Sequence, residues 1–185
     1  MTTHVLPSKK AVVSQEKDKM MSEERTHTLS VYVANRPGVL ARISQVFSRR
    51  GFNIDSLVVS PTIDGRYSRM TIAAKGSYDG LEQIILQLGK LIDVIHCIDH
   101  ANDVSVIREL ALIKIRVESE ARGEAFQICE HFGAKTVDLT DHSMIIMVTG
   151  HSDKVDACID MLRKFDLVEM VRTGKVVMAR GEEIT

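Results

Sequence analysis

The residues whose types and spacing are suited to binding a charged ligand lie in one short segment, 35–40, with the sequence Asn-Arg-Pro-Gly-Val-Leu. Gly38 lets a ligand approach the backbone closely, because glycine has no Cβ. The N–H groups from Gly38 to Leu40 point out of a predicted helix N-terminus, where the helix dipole favours an anion such as a carboxylate. The amide oxygen of Asn35 can accept a hydrogen bond from an ammonium group. Together these groups predict a site for an α-amino acid.

A simpler interpretation of the same segment is a plain connection from strand to helix. Pro37 suits an early helical position, where its missing N–H costs nothing. The residue types alone do not separate this interpretation from ligand binding.

Asn53 is the second candidate. It opens the predicted second strand, and we expect it at the sheet end where the loop of Asn35 lies. Its amide can then complete the site for an amino group, and a dimer interface is one place where this can happen. The alternative is that Asn53 only caps or bridges a turn, and the spacing favours neither.

The sequence contains few features that indicate a catalytic centre. The sequence has no Gly-x-Ser-x-Gly, Walker or Gly-x-Gly-x-x-Gly motif, and no Cys-x-x-Cys or His-Glu-x-x-His pair. His96 and His100 fall on a predicted strand and its exit, so they do not converge as they would on a helix. Cys129 lies on an apolar helix face, which is typical of a core residue. We therefore predict no catalytic residue, no metal site and no cofactor in this chain.

Charge and hydropathy exclude other classes. The net charge of −1 gives no general attraction for nucleic acid. No apolar run approaches the ~20 residues that span a bilayer, so we expect no membrane association. The first 25 residues lack the apolar stretch of a signal peptide. The three cysteines, an odd number set far apart, are typical of buried thiols in a reducing compartment, and we expect a cytoplasmic protein.

The elements that hold the candidate residues follow from hydrophobic spacing. In chain order the first half predicts a strand over 28–33, a helix that starts at Val39 and is ended by Gly51 at the C′ position, and a strand over 52–60. A hairpin connection at 61–65 leads to a strand through 70–74. After a break at 76–80 come a helix over 81–88 and a strand through Ile92, Val94, His96 and Ile98. This order, strand–helix–strand–strand–helix–strand, is the ferredoxin-like arrangement.

The second half repeats the order. It predicts a strand over 110–117, a helix over 125–132 ended by Gly133, strands over 135–139 and 143–149, a helix over 155–162 and a strand over 165–171 that 175–179 extends. We therefore predict an α+β chain of two tandem ferredoxin-like βαββαβ domains, over 26–102 and 107–181, with helices on one face of each antiparallel sheet. Residues 1–25 are predicted to be a mobile extension. The exposed sheet edges predict an oligomer.

Several runs of residues carry a family resemblance that covers about residues 26–181. Residues 29–40, Leu-Ser-Val-Tyr-Val-Ala-Asn-Arg-Pro-Gly-Val-Leu, look like the opening of an ACT domain. Residues 47–57, Phe-Ser-Arg-Arg-Gly-Phe-Asn-Ile-Asp-Ser-Leu, and 68–72, Ser-Arg-Met-Thr-Ile, are more specific and resemble the small subunit of acetohydroxyacid synthase. Residues 81–84, 112–115 and 172–174 are similar to that family as well.

The resemblance implies a non-catalytic regulatory subunit that forms a homodimer through its ACT domain. It implies that valine, or in some members leucine or isoleucine, binds at the dimer interface and inhibits a separate catalytic (large) subunit, which the small subunit also activates. Thiamine diphosphate, Mg²⁺ and FAD are then expected in the catalytic subunit. Carried over position by position, the family's effector contacts are Asn35, Arg36, Pro37, Gly38, Val39 and Leu40 from one chain, with Asn53 and Ile54 from its neighbour.

Three other functions fit parts of the pattern. A stand-alone tandem-ACT sensor shares the fold and the amino-acid site but acts on another protein. An RNA-recognition domain shares the strand order, but its third strand needs aromatic residues for base stacking, and here that strand has only Tyr67. An acylphosphatase-like hydrolase needs a phosphate loop and a convergent Arg–Asn pair that the sequence does not plainly supply.

Overall fold

The structure is a computed structural model that describes residues 25–100, 105–182 and 185. Its elements are β1 (Arg25–Ala34), α1 (Val39–Arg49), β2 (Asn53–Pro61), β3 (Tyr67–Gly76), α2 (Tyr78–Leu88), β4 (Val94–Asp99), β5 (Ser105–Arg116), α3 (Arg122–Phe132), β6 (Lys135–Leu139), β7 (Ser143–Gly150), α4 (Ser152–Leu162), β8 (Asp166–Arg172) and β9 (Val176–Ala179). The predicted mobile extension lies outside the described residues except for Arg25, which begins β1.

Two antiparallel sheets organise the chain. The strand order is β2-β3-β1-β4 in the first sheet and β6-β7-β5-β8 in the second, so the second half repeats the topology of the first. A pair of helices packs on one face of each sheet, where they bury the apolar side chains that the strands present. The predicted fold class, two tandem ferredoxin-like α+β units, is confirmed.

The first core forms on the face of β1 that carries every second residue. Leu29, Val31 and Val33 on β1 are fully buried, because alternate residues of a strand share one face. Helix α1 covers that face with Val39, Ile43 and Phe47, and α2 covers it with Leu81, Ile84 and Leu88. The turn after α1 ends at Gly51, whose φ of +71° is the left-handed conformation that glycine adopts easily at the end of a helix.

The second core is built in the same way around β5. Ala111, Ile113 and Ile115 are fully buried against α3 and α4. Gly133 ends α3 with a φ of +57°, as predicted. Strand β9 continues beyond β8 along the same side of β5: β8 pairs with residues 111–116 and β9 with residues 105–108. The break between them is at Gly174, where φ is +83°.

One predicted break is largely absent. Strand β3 runs to Gly76 and α2 begins at Tyr78, so Gly80 lies in the first turn of the helix and not in a loop. The side chain of Ser77 accepts a hydrogen bond from the Gly80 N–H at 3.3 Å and caps the helix. A Cβ on Gly76 would lie 2.0 Å from the Phe52 ring, and one on Gly80 would lie 2.5 Å from it. The two glycines therefore make room for the ring of Phe52.

The predicted start of the fourth strand is wrong at Ile92. Strand β4 begins at Val94, and the side chain of Ile92 is 95% exposed. The N–H of Val94 donates to the carbonyl of Leu91 at 3.0 Å, so residues 91–94 form a turn. Apolar character alone suggested a strand position, but the turn directs Ile92 into solvent. Among the described helices, none is long and apolar enough to cross a membrane.

Candidate effector-binding site

The connection from β1 to α1 is a tight turn built on Pro37 and Gly38. Gly38 has φ +83° and ψ −8°, which are the values of the third residue of a type II turn, and proline favours the second position of such a turn. The N–H of Val39 faces the carbonyl of Arg36 at 3.4 Å and closes the turn. The expected early helical position of Pro37 is wrong: α1 begins at Val39, because a left-handed residue cannot continue a right-handed helix.

The helix that follows offers an exposed N-terminus. Val39 is buried and anchors the first turn in the core, whereas Leu40 is 42% exposed. The first helical hydrogen bond runs from the N–H of Arg42 to the carbonyl of Gly38 at 3.1 Å. The N–H groups before Arg42 therefore have no partner within the helix, and the helix dipole adds positive potential there. This end of α1 suits a carboxylate.

Arg42, in the first turn of α1, is a charged residue that is not among the predicted effector contacts. Its guanidinium forms an ion pair with Asp93, whose side chain is only 8% exposed. The backbone carbonyl of Asp93 also accepts from the N–H of Ala34 at 2.8 Å, so Asp93 joins the end of β1 to α1. A Cβ on Gly38 would lie 3.5 Å from Nη1 of Arg42. The Arg42 charge therefore lies directly beside the glycine turn.

Asn35 is fastened to the hairpin between β2 and β3. Its side-chain Nδ2 donates to the carbonyl of Gly65 at 2.9 Å, and its backbone N–H donates to the carbonyl of Arg66 at 2.9 Å. The first bond orients the amide and does not use its oxygen, which keeps its ability to accept from an ammonium group. Asn35 and Arg36 are both exposed.

The hairpin that holds Asn35 is itself fixed by Asp64. The carboxylate accepts from the Thr62 hydroxyl at 2.7 Å and from Nε of Arg66 at 2.8 Å. These hydrogen bonds, with that of Thr62 the largest cause, lower the pKa of Asp64 below its ordinary value. Asp64 therefore stays ionised, and the hairpin presents a stable carbonyl to Asn35.

Asn53 and Ile54 open β2, which is an edge strand of the first sheet. Asn53 is exposed, and its Nδ2 donates to Oδ1 of Asp55 at 3.3 Å. Ile54 is half-buried and packs against the first core. The register against β3 shifts between Ile54 and Ser56, so Asp55 is an extra residue in a β-bulge.

The expectation that Asn53 shares a sheet end with the loop of Asn35 is wrong within one chain. Ala34, just before that loop, pairs with Tyr67, whereas Asn53 pairs with Lys75. At ~3.3 Å per residue, eight residues of β3 separate the two ends by ~26 Å. Strands β1 and β2 are parallel to each other, so their first residues lie at the same end. The structure thus brings residues 35–40 together and leaves Asn53 and Ile54 apart from them.

The thiols are built as core groups. Burial raises the pKa of Cys97 to about 12, and burial together with the nearby Cys129 raises that of Cys158 to about 11. These groups are protonated at neutral pH. Within the described parts of the chain, no cluster of three or more His, Cys, Asp or Glu side chains could hold a metal ion.

Comparison with protein families identifies both halves of the chain. Residues 29–96 match the ACT domain of AHAS small subunits, and residues 108–181 match the small subunit of acetolactate synthase. A probable acetolactate synthase small subunit from Archaeoglobus fulgidus is 47% identical over 157 residues, which cover 85% of this chain and 98% of that protein. The acetolactate synthase small subunit of Mycolicibacterium smegmatis is 46% identical over 156 residues, 84% of this chain and 92% of the relative.

A solved structure agrees with these matches. The crystal structure of the acetolactate synthase small subunit from Thermotoga maritima superposes with a TM-score of 0.77 at 38% sequence identity. The match covers 86% of this chain and 99% of that one. The resemblance read from the sequence is thereby confirmed: the chain belongs to the acetolactate synthase small-subunit family, the regulatory subunits of that enzyme.

Proposed function

We propose that this chain binds valine, or a related branched-chain amino acid, and uses it to control a separate acetolactate synthase catalytic subunit. The chain activates that subunit and makes it sensitive to feedback inhibition. It carries no reaction of its own, and thiamine diphosphate, Mg²⁺ and FAD belong to the catalytic subunit. The protein acts in the cytoplasm, without nucleic acid or membrane as a partner. Membership of the small-subunit family supports this proposal.

The observation that carries the effector site is the glycine turn at the start of α1. An α-amino acid carries a carboxylate and an ammonium group on one carbon, so its site needs a donor region and an acceptor region close together. The N-terminal N–H groups of α1 and the nearby Arg42 supply the first, and the amide oxygen of Asn35 supplies the second. Leu40, which is 42% exposed, offers an apolar contact to a branched side chain.

The site is completed by a second chain. Among the described strands, β2 pairs only with β3, and a two-fold axis perpendicular to the sheet places the other edges of two such strands side by side and antiparallel. That arrangement moves the Asn53 end of one protomer toward the Gly65 end of its partner, where the loop of Asn35 lies. Asn53 and Ile54 of one chain then face residues 35–40 of the other. The homodimer is part of the proposal.

Regulation follows from a difference in affinity between two arrangements of the dimer. An effector that touches both chains favours the arrangement in which the two half-sites are closest, and the surface offered to the catalytic subunit changes with it. A coupling free energy of ~1–3 kcal/mol between the effector and the partner is typical of such systems.

The first experiment is calorimetric titration of the purified chain with valine, leucine and isoleucine, followed by assay of the catalytic subunit with and without the chain. We expect one of the three amino acids to bind. Without that amino acid, the chain is expected to raise the activity of the catalytic subunit; with it, the activity of the complex is expected to fall. Failure of all three to bind in the presence of the catalytic subunit would contradict the effector proposal. Failure to change activity at all would contradict the regulatory one.

The second candidate is a stand-alone tandem-ACT sensor that acts on a different protein. It shares the fold and the effector site, so the titration does not exclude it. Co-purification separates the two: the proposed function predicts a large thiamine-dependent enzyme as the stable partner, and the alternative predicts a different one.

A further inference from the structure

The two domains meet at the bulge that follows the proposed effector residues of β2. Gly174, between β8 and β9, is buried, and a Cβ placed on it would lie 2.5 Å from both Cβ and Oγ of Ser56. Ser56 is the first residue after the bulge at Asp55 and pairs with Ala73. Because Ala74 points into the core, Ala73 and Ser56 lie on the opposite face of the sheet. The C-terminal domain therefore touches β2 on the face away from the helices.

The segment that contains Gly174 is firmly tied to the C-terminal domain. The N–H of Thr173 donates to the carbonyl of Leu110 at 3.0 Å, and the N–H of Leu110 faces Oγ1 of Thr173 at 3.2 Å. The positive φ of Gly174, +83°, turns the chain from β8 toward β9 at this point. A displacement of Ser56 toward Gly174 would therefore press on the segment 173–174, which is hydrogen-bonded to β5.

Arg172 extends this tie to helix α4. Its guanidinium pairs with Glu109, whose side chain is 3% exposed, and its Nη1 donates to Asp156 at 2.6 Å. The hydroxyl of Ser152, the first residue of α4, donates to the other oxygen of Glu109 at 2.6 Å. Partial burial alone would lower the pKa of Arg172, but the hydrogen bonds to Asp156 and Glu109 raise it above its ordinary value. The network joins β5, β8 and α4 at one point.

A cavity of about 390 Å³ lies between the two domains at this point and shows that the network faces β2. The first domain lines it with Thr26, Asp55, Ser56 and Ala73, and the second lines it with residues that include Glu109 and Arg172. Asp55 also accepts the hydrogen bond from the amide of Asn53 at 3.3 Å. This bond leaves the amide oxygen of Asn53 able to accept from an ammonium group, so a ligand held by that oxygen contacts a side chain that is hydrogen-bonded to the bulge.

We propose that the contact between Ser56 and Gly174, held in place by Arg172, transmits effector occupancy from β2 to the C-terminal domain. Arg172 is thus a positioning residue that touches no ligand. The path runs from Asn53 through the bulge at Asp55 to Ser56, then to Gly174 and the Arg172–Glu109 pair. The inference rests on the proposed function, because it requires an effector that binds at Asn53.

The test uses the full chain together with its catalytic subunit and compares Ser56→Gly and Arg172→Gln with the wild type. Ser56→Gly removes the side chain that touches Gly174, and Arg172→Gln removes the charge that holds the segment. We expect each variant to bind valine within about threefold of the wild-type affinity in calorimetry and to activate the catalytic subunit normally. Maximal inhibition at saturating valine is expected to fall to less than half. Arg172→Lys, which keeps the charge, is expected to restore part of it.

Gly174→Ala adds a Cβ where Ser56 lies, and Gly181→Ala is its matched control, because Gly181 also has a positive φ, +72°, but, apart from its chain neighbours, no atom of the described residues within 4 Å of the position of its Cβ. We expect Gly174→Ala to reduce inhibition, the double variant Ser56→Gly/Gly174→Ala to differ from the sum of its parts, and Gly181→Ala to behave as wild type. Full inhibition in Ser56→Gly and Arg172→Gln would overturn the coupling path. A wild type that binds and responds to none of the three amino acids would instead overturn the proposed function, which separates the two failures.

Discussion

Asn35 and Asn53 lie at opposite ends of the same four-stranded sheet, although both carry amides suited to an amino-acid ligand. The strand that leads to Asn35 ends opposite Tyr67, and Asn53 is paired with Lys75, eight residues away along β3. No rotation of side chains closes a gap of ~26 Å. A site that uses both amides must therefore be assembled from two chains, and this makes the proposed function testable by subunit mixing.

The first prediction concerns mixed dimers of Gly38→Asp and Asn53→His chains. Each homodimer is expected to lose effector binding, because each has a defective half in both of its sites. In the mixed dimer, one site contains both defects and the other contains neither, so about half of the binding capacity should return. The measurement is the number of valine molecules bound per dimer, by calorimetry on dimers isolated with two different affinity tags.

If each site were formed within one chain, every chain of the mixed dimer would carry a defective site. Absence of binding in the mixed dimer would therefore contradict the assembly of the site across two chains. Unchanged binding in the Asn53→His homodimer would remove Asn53 from the site altogether.

Gly38→Asp by itself tests the position of the carboxylate. The new side chain would occupy the anion's place at the start of α1, close to Arg42, and the positive φ of Gly38 adds ~1–2 kcal/mol of strain. We expect valine affinity to fall by at least 100-fold, while activation of the catalytic subunit largely survives. Gly133→Asp is the matched control, since Gly133 also has a positive φ but lies in the second domain. Equal loss of binding in both variants would point to strain and not to the site.

The pair of Arg42 and Asp93 offers a separate test of the site's electrostatics. Asp93→Asn keeps the shape of the side chain but removes the charge that holds Arg42 beside the glycine turn. We expect a loss of ~1–3 kcal/mol in the free energy of unfolding, because the carboxylate is largely buried, and a several-fold change in valine affinity. Urea unfolding and calorimetry measure the two effects.

A matched control for that variant is Asp160→Asn. Asp160 pairs with Arg163, and both side chains are 71% exposed, so its removal should cost less than about 0.5 kcal/mol. If Asp93→Asn leaves valine affinity as unchanged as the control does, Arg42 has no part in effector binding.

The buried thiols predict a loss of stability in alkali. Burial raises the pKa of Cys158 from 9.0 to about 11, so the unfolded chain releases this proton at a lower pH than the folded one. The stabilising effect is complete below pH 9 and is lost as the pH rises toward 11. We expect Cys158→Ala to reduce the fall in unfolding free energy between pH 8 and pH 10.5 by about 2 kcal/mol. Urea titrations at the two pH values measure this, and identical falls in both proteins would contradict it.

Much of the fold follows from local patterns. Alternation in residues 28–33 and the helical spacing from Val39 to Phe47 predict β1 and α1 because each element buries one face, and burial sets a period. Positions where backbone geometry competes with that pattern were harder to predict. Ile92 is apolar but lies in a turn, and Gly80 suggested a loop although it makes room for Phe52 inside a helix. The conformation at Gly80 depends on Phe52, which is distant in sequence, and that of Ile92 depends on the turn formed by residues 91–94.

By itself, the sequence determined the family, the tandem α+β architecture and the glycine turn of residues 35–40, because these depend on residue types at short spacing. Only the tertiary structure decided that Asn53 lies at the far end of the sheet, since strand register is set by pairing with β3. It also decided that Arg42 lies beside Gly38, held by Asp93, and that Gly174 packs on Ser56. The Arg42–Asp93 and Ser56–Gly174 contacts join residues more than fifty positions apart, and packing of the whole chain fixes such distances.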